Sequence, residues 1–161
     1  MREAILIRNA AEQELDALAG LWFSGWQDGH TNILPAELAR LRTVESFKLR
    51  LQEALAAVRV AQGGEAPLGF TMTKSDELYQ FYVSAGARGT GVASMLMNDA
   101  LARFRQDRVR KPWLACAIGN ERAARFYEKS GWRRTGVMTS HLPTQAGIFL
   151  LDVWRYEIDL Q

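Results

Sequence analysis

The chain has 161 residues, 48% of them hydrophobic and 24% charged, with 20 Lys and Arg against 18 Asp and Glu. This length suits one domain over residues 1–161, the apolar content excludes a disordered chain, and a formal charge of +2 excludes a strong overall pull on nucleic acid or membranes. One cysteine, Cys116, excludes an intramolecular disulfide, no apolar run approaches the roughly 20 residues that span a bilayer, and acids occupy the opening segment where a secretory leader is apolar, so a cytoplasmic protein is expected.

Ala4 to Ile7 reads as a short strand. Ala11 to Gly25 reads as a helix, with Leu15, Leu18, Leu21 and Trp22 at helical spacing, and Gly25 to His30 breaks the pattern as a loop. Pro35 suits a helix start, and a second helical region runs to about Ala57. Strands are expected at Val58–Ala61, Leu68–Thr73 and Glu77–Val83, with turns at Gly63-Gly64 and Ser75-Asp76. A glycine-bearing loop, Ser84 to Gly91, leads into a helix over Val92–Arg105, where Val92, Leu96, Ala100 and Phe104 form one stripe. Trp113–Ile118 is a short apolar strand, and Asn120 N-caps a helix ending near Gly131. Two strands, near Gly136–His141 and Ile148–Asp159, close the chain as a hairpin. Hairpin-joined strands mixed with strand–helix–strand crossovers predict an α/β protein with a mixed sheet and helices on its faces.

The stretch from Val83 to Ala93 carries the chemistry. A strand enters a glycine loop and a helix leaves it, which points free backbone N–H groups and a positive helix end at one spot suited to phosphate. A nucleoside-triphosphate loop fails, because Val92 stands where its lysine belongs and Ala93 where a hydroxyl should meet magnesium. A dinucleotide-binding turn matches only at Gly89-Thr90-Gly91, with Ser94 in place of its third small residue. The third reading is Arg88-x-x-Gly91-x-Ala93. It resembles the pyrophosphate signature (Q/R)-x-x-G-x-(G/A) of the GCN5-related N-acetyltransferases. Downstream, Asn120-x-x-Ala123-x-x-Phe126-Tyr127 running to Gly131-Trp132 is similar to that family's second signature. The likeness is close from Leu68 to about Trp132, with Ala85 in place of a frequent proline and Ala93 in place of the commoner glycine.

The resemblance implies a mostly antiparallel sheet of about seven strands, splayed in the middle and flanked by about four helices. It implies acetyl-CoA as co-substrate; with no Cys/His cluster near Cys116, no metal is expected. Phe81 and Val83 would offer main-chain groups to the pantetheine arm, and the backbone from Arg88 through Gly89, Thr90, Gly91 and Val92 to Ala93 would hold the pyrophosphate. Asn120 is either a plain helix cap or also a partner of the pantetheine, and Phe126 packs on the cofactor or the core. Tyr127 stands at the family's general-acid position, or else fills the core. Glu77, six residues before Val83, is the candidate base or a surface acid at a strand end.

The acceptor wall would come from the first interhelical loop and the final hairpin, with Trp26, Asp28, His30 and Tyr79 as contacts and His141, Ser140 and Thr144 nearby. Aromatics beside a carboxylate suit a cationic amine. Arg42 reads as a surface helix charge or a carboxylate anchor, and Cys116 as a small core hydrophobe. The expected reaction moves acetyl to a primary amine of a small molecule or peptide by direct attack. The alternative is a non-catalytic acyl-CoA sensor or interaction module of the same fold. The apolar run from Ile148 to Tyr156 suits either a homodimer contact or the core.

Overall fold

The computed structural model describes residues 4–161. Seven strands form one sheet: β1 (Leu6–Asn9), β2 (Val58–Gln62), β3 (Pro67–Lys74), β4 (Glu77–Val83), β5 (Trp113–Ala117), β6 (Arg133–Thr144) and β7 (Gly147–Glu157), in the spatial order β1-β2-β3-β4-β5-β7-β6. All neighbours pair antiparallel except β4 and β5, which run parallel. Five α-helices cover the faces: α1 (Leu15–His30), α2 (Ala36–Leu41), α3 (Val44–Glu53), α4 (Val92–Gln106) and α5 (Glu121–Lys129). None of them is long and apolar enough to cross a membrane.

Two cores form, one on each face of the sheet. Leu15, Leu18, Ala19, Trp22 and Trp26 fall on one stripe of α1 and pack with Phe47 and Leu51 of α3 against Val58, Val60, Phe70 and Met72. On the other face Met97, Ala100, Leu101 and Phe104 of α4 meet Leu114, Cys116, Trp132 and Tyr156. A forked ion pair from Arg59 of β2 to Asp99 of α4, at 2.8 and 3.1 Å, ties α4 to the sheet.

Three expectations change. The segment Gly25–His30 is helix, not loop: α1 runs on to His30. Both glycines mark close approaches instead of a break. A Cβ on Gly25 would lie 2.5 Å from the Tyr82 ring, and one on Gly29 would lie 3.1 Å from the Asn120 amide. The second helical region divides into α2 and α3 at Arg42-Thr43. Thr43 caps α3 in a reciprocal pair with Ser46, whose N–H donates to Thr43 Oγ1 at 3.1 Å. The first strand begins at Leu6 and ends at Asn9. In the closing strand Val153 and Tyr156 are core, whereas Ile148 and Leu150 are exposed.

Candidate active site

The sheet parts between β4 and β5. Their parallel ladder holds one pair, Glu77 with Trp113, beside a bond from Trp113 N–H to Asp76 O at 3.0 Å. Beyond that point β5 pairs only with β7. Ser84 N–H donates to Leu68 O of β3 at 2.8 Å, which sets the phase of the β3–β4 ladder. An antiparallel ladder engages alternate residues, so Tyr82 turns its backbone groups to β3, and Phe81 and Val83 turn theirs into the gap. A register shift between the pairs Met72–Gln80 and Thr73–Leu78 makes Tyr79 the extra residue of a bulge. The bulge places Glu77, Tyr79, Gln80 and Tyr82 along one cavity, whereas Leu78 and Phe81 pack toward α4 and α5.

At one end of the gap lies a cavity of about 410 Å³, lined by Phe81, Val83, Arg88, Gly89, Gly91, Ala93, Asn120, Phe126 and Tyr127 among others. Its floor is the loop before α4. Gly89 and Gly91 have φ of +76° and +91°, a left-handed backbone that costs a side-chain-bearing residue about 1–2 kcal/mol. Gly91 is the N-cap of α4, with no side chain capping the helix and no acid in its first turn. The first amides of α4, from Val92 onward, therefore keep their free N–H groups and the positive end of the helix dipole. Thr90 does not cap the helix either, because its hydroxyl donates back to Ala87 O.

Asp28 belongs to this end, not to the acceptor wall. It accepts from Arg88 and, at 3.1 Å, from Arg122, and these guanidinium groups hold its carboxyl below the usual range. Continuation of α1 through residue 30 explains the placement. Trp26 and His30 are four apart and share one face, and Asp28, two residues from each, lies on another.

Tyr127 of α5 lies at the junction. Its ring stands edge-on to Phe81, with centroids 6.3 Å apart, and Phe126 packs on Phe81 at 5.2 Å. Burial raises the Tyr127 hydroxyl well above its ordinary range, so the phenol keeps its proton at neutral pH. Asn120 caps α5 by accepting from Ala123 N–H at 3.4 Å, which leaves its amide N–H₂ free at the cavity. Cys116 is buried, and burial pushes its thiol up to about 12.

A narrow space of about 80 Å³ follows, lined by Phe81, Asn120 and Tyr127 on one side and by His30, Tyr79 and Ala115 on the other. Those residues are shared with the cavities before and after it, so the three run in series through the gap. The last, of about 120 Å³, is lined by Trp22, Trp26, His30, Arg42, Arg50, Glu77, Tyr79, Ser140 and others. Burial raises Glu77 to about 7 against the pull of Lys74 and Arg155. The Trp26 carbonyl can only accept, so His30 Nδ1 carries a proton and donates to it at 2.9 Å. Burial lowers the His30 pKa, so Nε2 keeps its lone pair.

Two cations line this cavity, Arg42 and Arg50. Arg42, expected on the surface or as an anchor, is 4% exposed. Its Nη1 donates to Pro143 O at 3.2 Å. Arg50, which carries no motif, stacks 4.5 Å from the Trp22 ring centroid and donates to Tyr79 Oη at 2.9 Å. Nothing in the local sequence pattern marks Arg50 as inward-facing; only the capping of α3 at Thr43 would have fixed its face. Trp22 and Trp26 are core residues that also line the cavity. His141 is exposed on β6, outside these cavities.

Known proteins bear on this arrangement. An uncharacterized N-acetyltransferase of Mycobacterium tuberculosis is 38% identical over 66 residues, a stretch that spans 41% of this chain and 42% of that protein. The peptidyl-lysine N-acetyltransferase YjaB of Escherichia coli is 28% identical over 82% of this chain and 84% of its own, and its apo solution structure superposes with a TM-score of 0.75 at 21% identity, covering 96% of this chain and 97% of that one. The PaiA N-acetyltransferase of Thermoplasma acidophilum, solved in complex with coenzyme A, shares the fold with a TM-score of 0.68 at 16% identity, over 98% of this chain and 99% of that one. The family profile described as acetyltransferase (GNAT) matches residues 16–132. With the splayed sheet and glycine loop, that match places this chain in the acetyltransferase (GNAT) family.

Proposed function

We propose that the protein transfers an acetyl group from acetyl-CoA to a primary amine by direct attack. The carrying observation is the series of cavities that runs from the uncapped α4 N-terminus, past the unpaired edge of β4, to Tyr127 and Glu77. The residues fit the cofactor at each point. Free α4 amides suit a pyrophosphate, the Phe81 and Val83 backbone suits the amide groups of a pantetheine arm, and Phe126 supplies an apolar wall.

The amine nitrogen forms a bond to the thioester carbonyl carbon, whose π electrons move onto oxygen, and collapse of that oxyanion then breaks the carbon–sulfur bond. A backbone N–H of the gap-facing edge of β4, that of Val83, would stabilise the oxyanion that develops between these events. The proton lost by the amine passes to Glu77, whose pKa near 7 suits a base at neutral pH. The Tyr127 hydroxyl gives its proton to the departing sulfur. Cys116 has its thiol pushed up to about 12, which argues against an acetyl-cysteine intermediate. YjaB is named for a peptidyl-lysine acceptor, and a lysine side chain is one member of the primary-amine class.

The test is thiol release from acetyl-CoA with separate pools of polyamines, amino acids, aminoglycosides and lysine peptides. Release matched by acetylated product supports the reading. Tight acetyl-CoA binding without release in any pool would replace it with a sensor or interaction module.

A further inference from the structure

The cavity of about 120 Å³ on the Glu77 side is lined by two guanidinium groups, Arg42 and Arg50. Among the described residues, neither forms an ion pair. A charge that is buried without a partner is costly, and Arg42 is 4% exposed. The two groups lie near enough for Arg50, together with burial, to lower Arg42 to about 10. The one acid in the lining, Glu77, carries at most one negative charge against these two positive ones. The wall is therefore net positive.

A guanidinium offers five N–H donors. Arg42 has one hydrogen bond, to Pro143 O, and Arg50 has one, to Tyr79 Oη. Most of their donors remain for a ligand. Their positions are set: Arg50 lies over the Trp22 ring, and Arg42 is held between α2 and the β6 hairpin. Two fixed forks that face one small space match the oxygens of a carboxylate.

We propose that the acceptor is a small amine that bears a carboxylate, with the free α-amino acids as the simplest members, and that Arg42 and Arg50 receive the carboxylate while the amine points toward Tyr127. This rests on the acetyl-transfer reading and names its substrate class. The same cations would repel an alkylammonium and so favour the neutral amine that attacks. A cationic acceptor held by aromatics and Asp28 does not suit this wall, because Asp28 lies at the opposite end of the gap, on Arg88 and Arg122.

The experiment compares the twenty free L-amino acids, their carboxamides and a set of diamines as acceptors, by thiol release from acetyl-CoA. The best acceptor is expected among the free acids, with kcat/KM at least ~10-fold above its carboxamide, in line with a charge-assisted hydrogen-bond pair. Arg42→Gln should reduce the preference, Arg42→Gln combined with Arg50→Gln should bring acid and carboxamide to the same level, and Arg42→Lys should keep part of the preference. Acetyl-CoA affinity, read by calorimetry, should stay within about twofold in these variants, which separates loss of the anchor from loss of the fold. Faster turnover of carboxamides or diamines, or a preference that Arg42→Gln leaves undiminished or that survives the double substitution, overturns this inference and leaves acetyl transfer standing. No thiol release with any amine overturns both.

Discussion

Replacing Tyr127 by Phe removes one oxygen and leaves the ring packed on Phe81 and Tyr156. Loss of a general acid costs about 10²-fold or more in rate. Tyr127→Phe is therefore expected to lower kcat about 10²-fold with acetyl-CoA affinity unchanged, as read by single-turnover kinetics and calorimetry. An unchanged kcat would leave Tyr127 as a core residue only. Glu77 gives a pH signature. With its pKa near 7, the base form grows as pH rises through 7, so kcat/KM should climb through that range in the wild type and lose that limb in Glu77→Gln. A profile that keeps the limb in the variant would move the base to His30, which lines the same cavities and whose Nδ1 is taken by the Trp26 carbonyl. The raised carboxyl also acts on stability. Its folded value lies above its ordinary one, so the native state binds more protons between about pH 4.5 and 7. Stability from this group is complete below that window and is lost as pH rises through it. Thermal melts should show Glu77→Gln lacking this loss and gaining on the wild type above pH 7.

At the scale of elements, α1 shows where local sequence misleads. Its glycines look like breakers, and Gly25 to His30 reads as a loop, yet the helix runs through them. Tertiary packing decides: Gly25 sits against Tyr82, the residue beside the gap-facing positions of β4. This separates two substitutions that propensity treats alike. A Cβ at Gly20 meets nothing within 4 Å, so Gly20→Ala should stabilise by about 0.5–1 kcal/mol through helix propensity. A Cβ at Gly25 would stand 2.5 Å from the Tyr82 ring, so Gly25→Ala should gain the same propensity and still lose about 1–3 kcal/mol net through overpacking. Urea unfolding of the two variants checks the difference, and equal shifts would contradict the packing account. The bulge at Tyr79 is equally hidden from the sequence. Strict alternation along β4 would put Glu77 on the face of Phe81, and the bulge instead puts it on that of Tyr82. By contrast, β4, α4 and the Asn120 cap of α5 match the expected positions closely, because their glycine, cap and stripe signals are local.

At the scale of the molecule, the glycine loop and the second signature led from sequence to the α4 end of the gap, because that end is built from consecutive backbone amides. The Glu77 end, where we propose the acceptor binds, was less legible. It is assembled from α1, α2, α3, β4, β5, β6 and β7, and residues so far apart in the chain carry no shared local signal. Arg42, a candidate anchor in the sequence, and Arg50, which has no motif, come together in one lining only when α2 and α3 pack beside β4. The central claim, that the gap between β4 and β5 receives acetyl-CoA, is tested most directly by amide hydrogen exchange with and without acetyl-CoA. Slowed exchange is expected at Phe81, Val83 and residues 88–94, with β1 and β2 unchanged. Protection confined to Ile5, Gly63, Gly64 and Leu68, which line a neighbouring cavity, or no protection over 81–94, would contradict it.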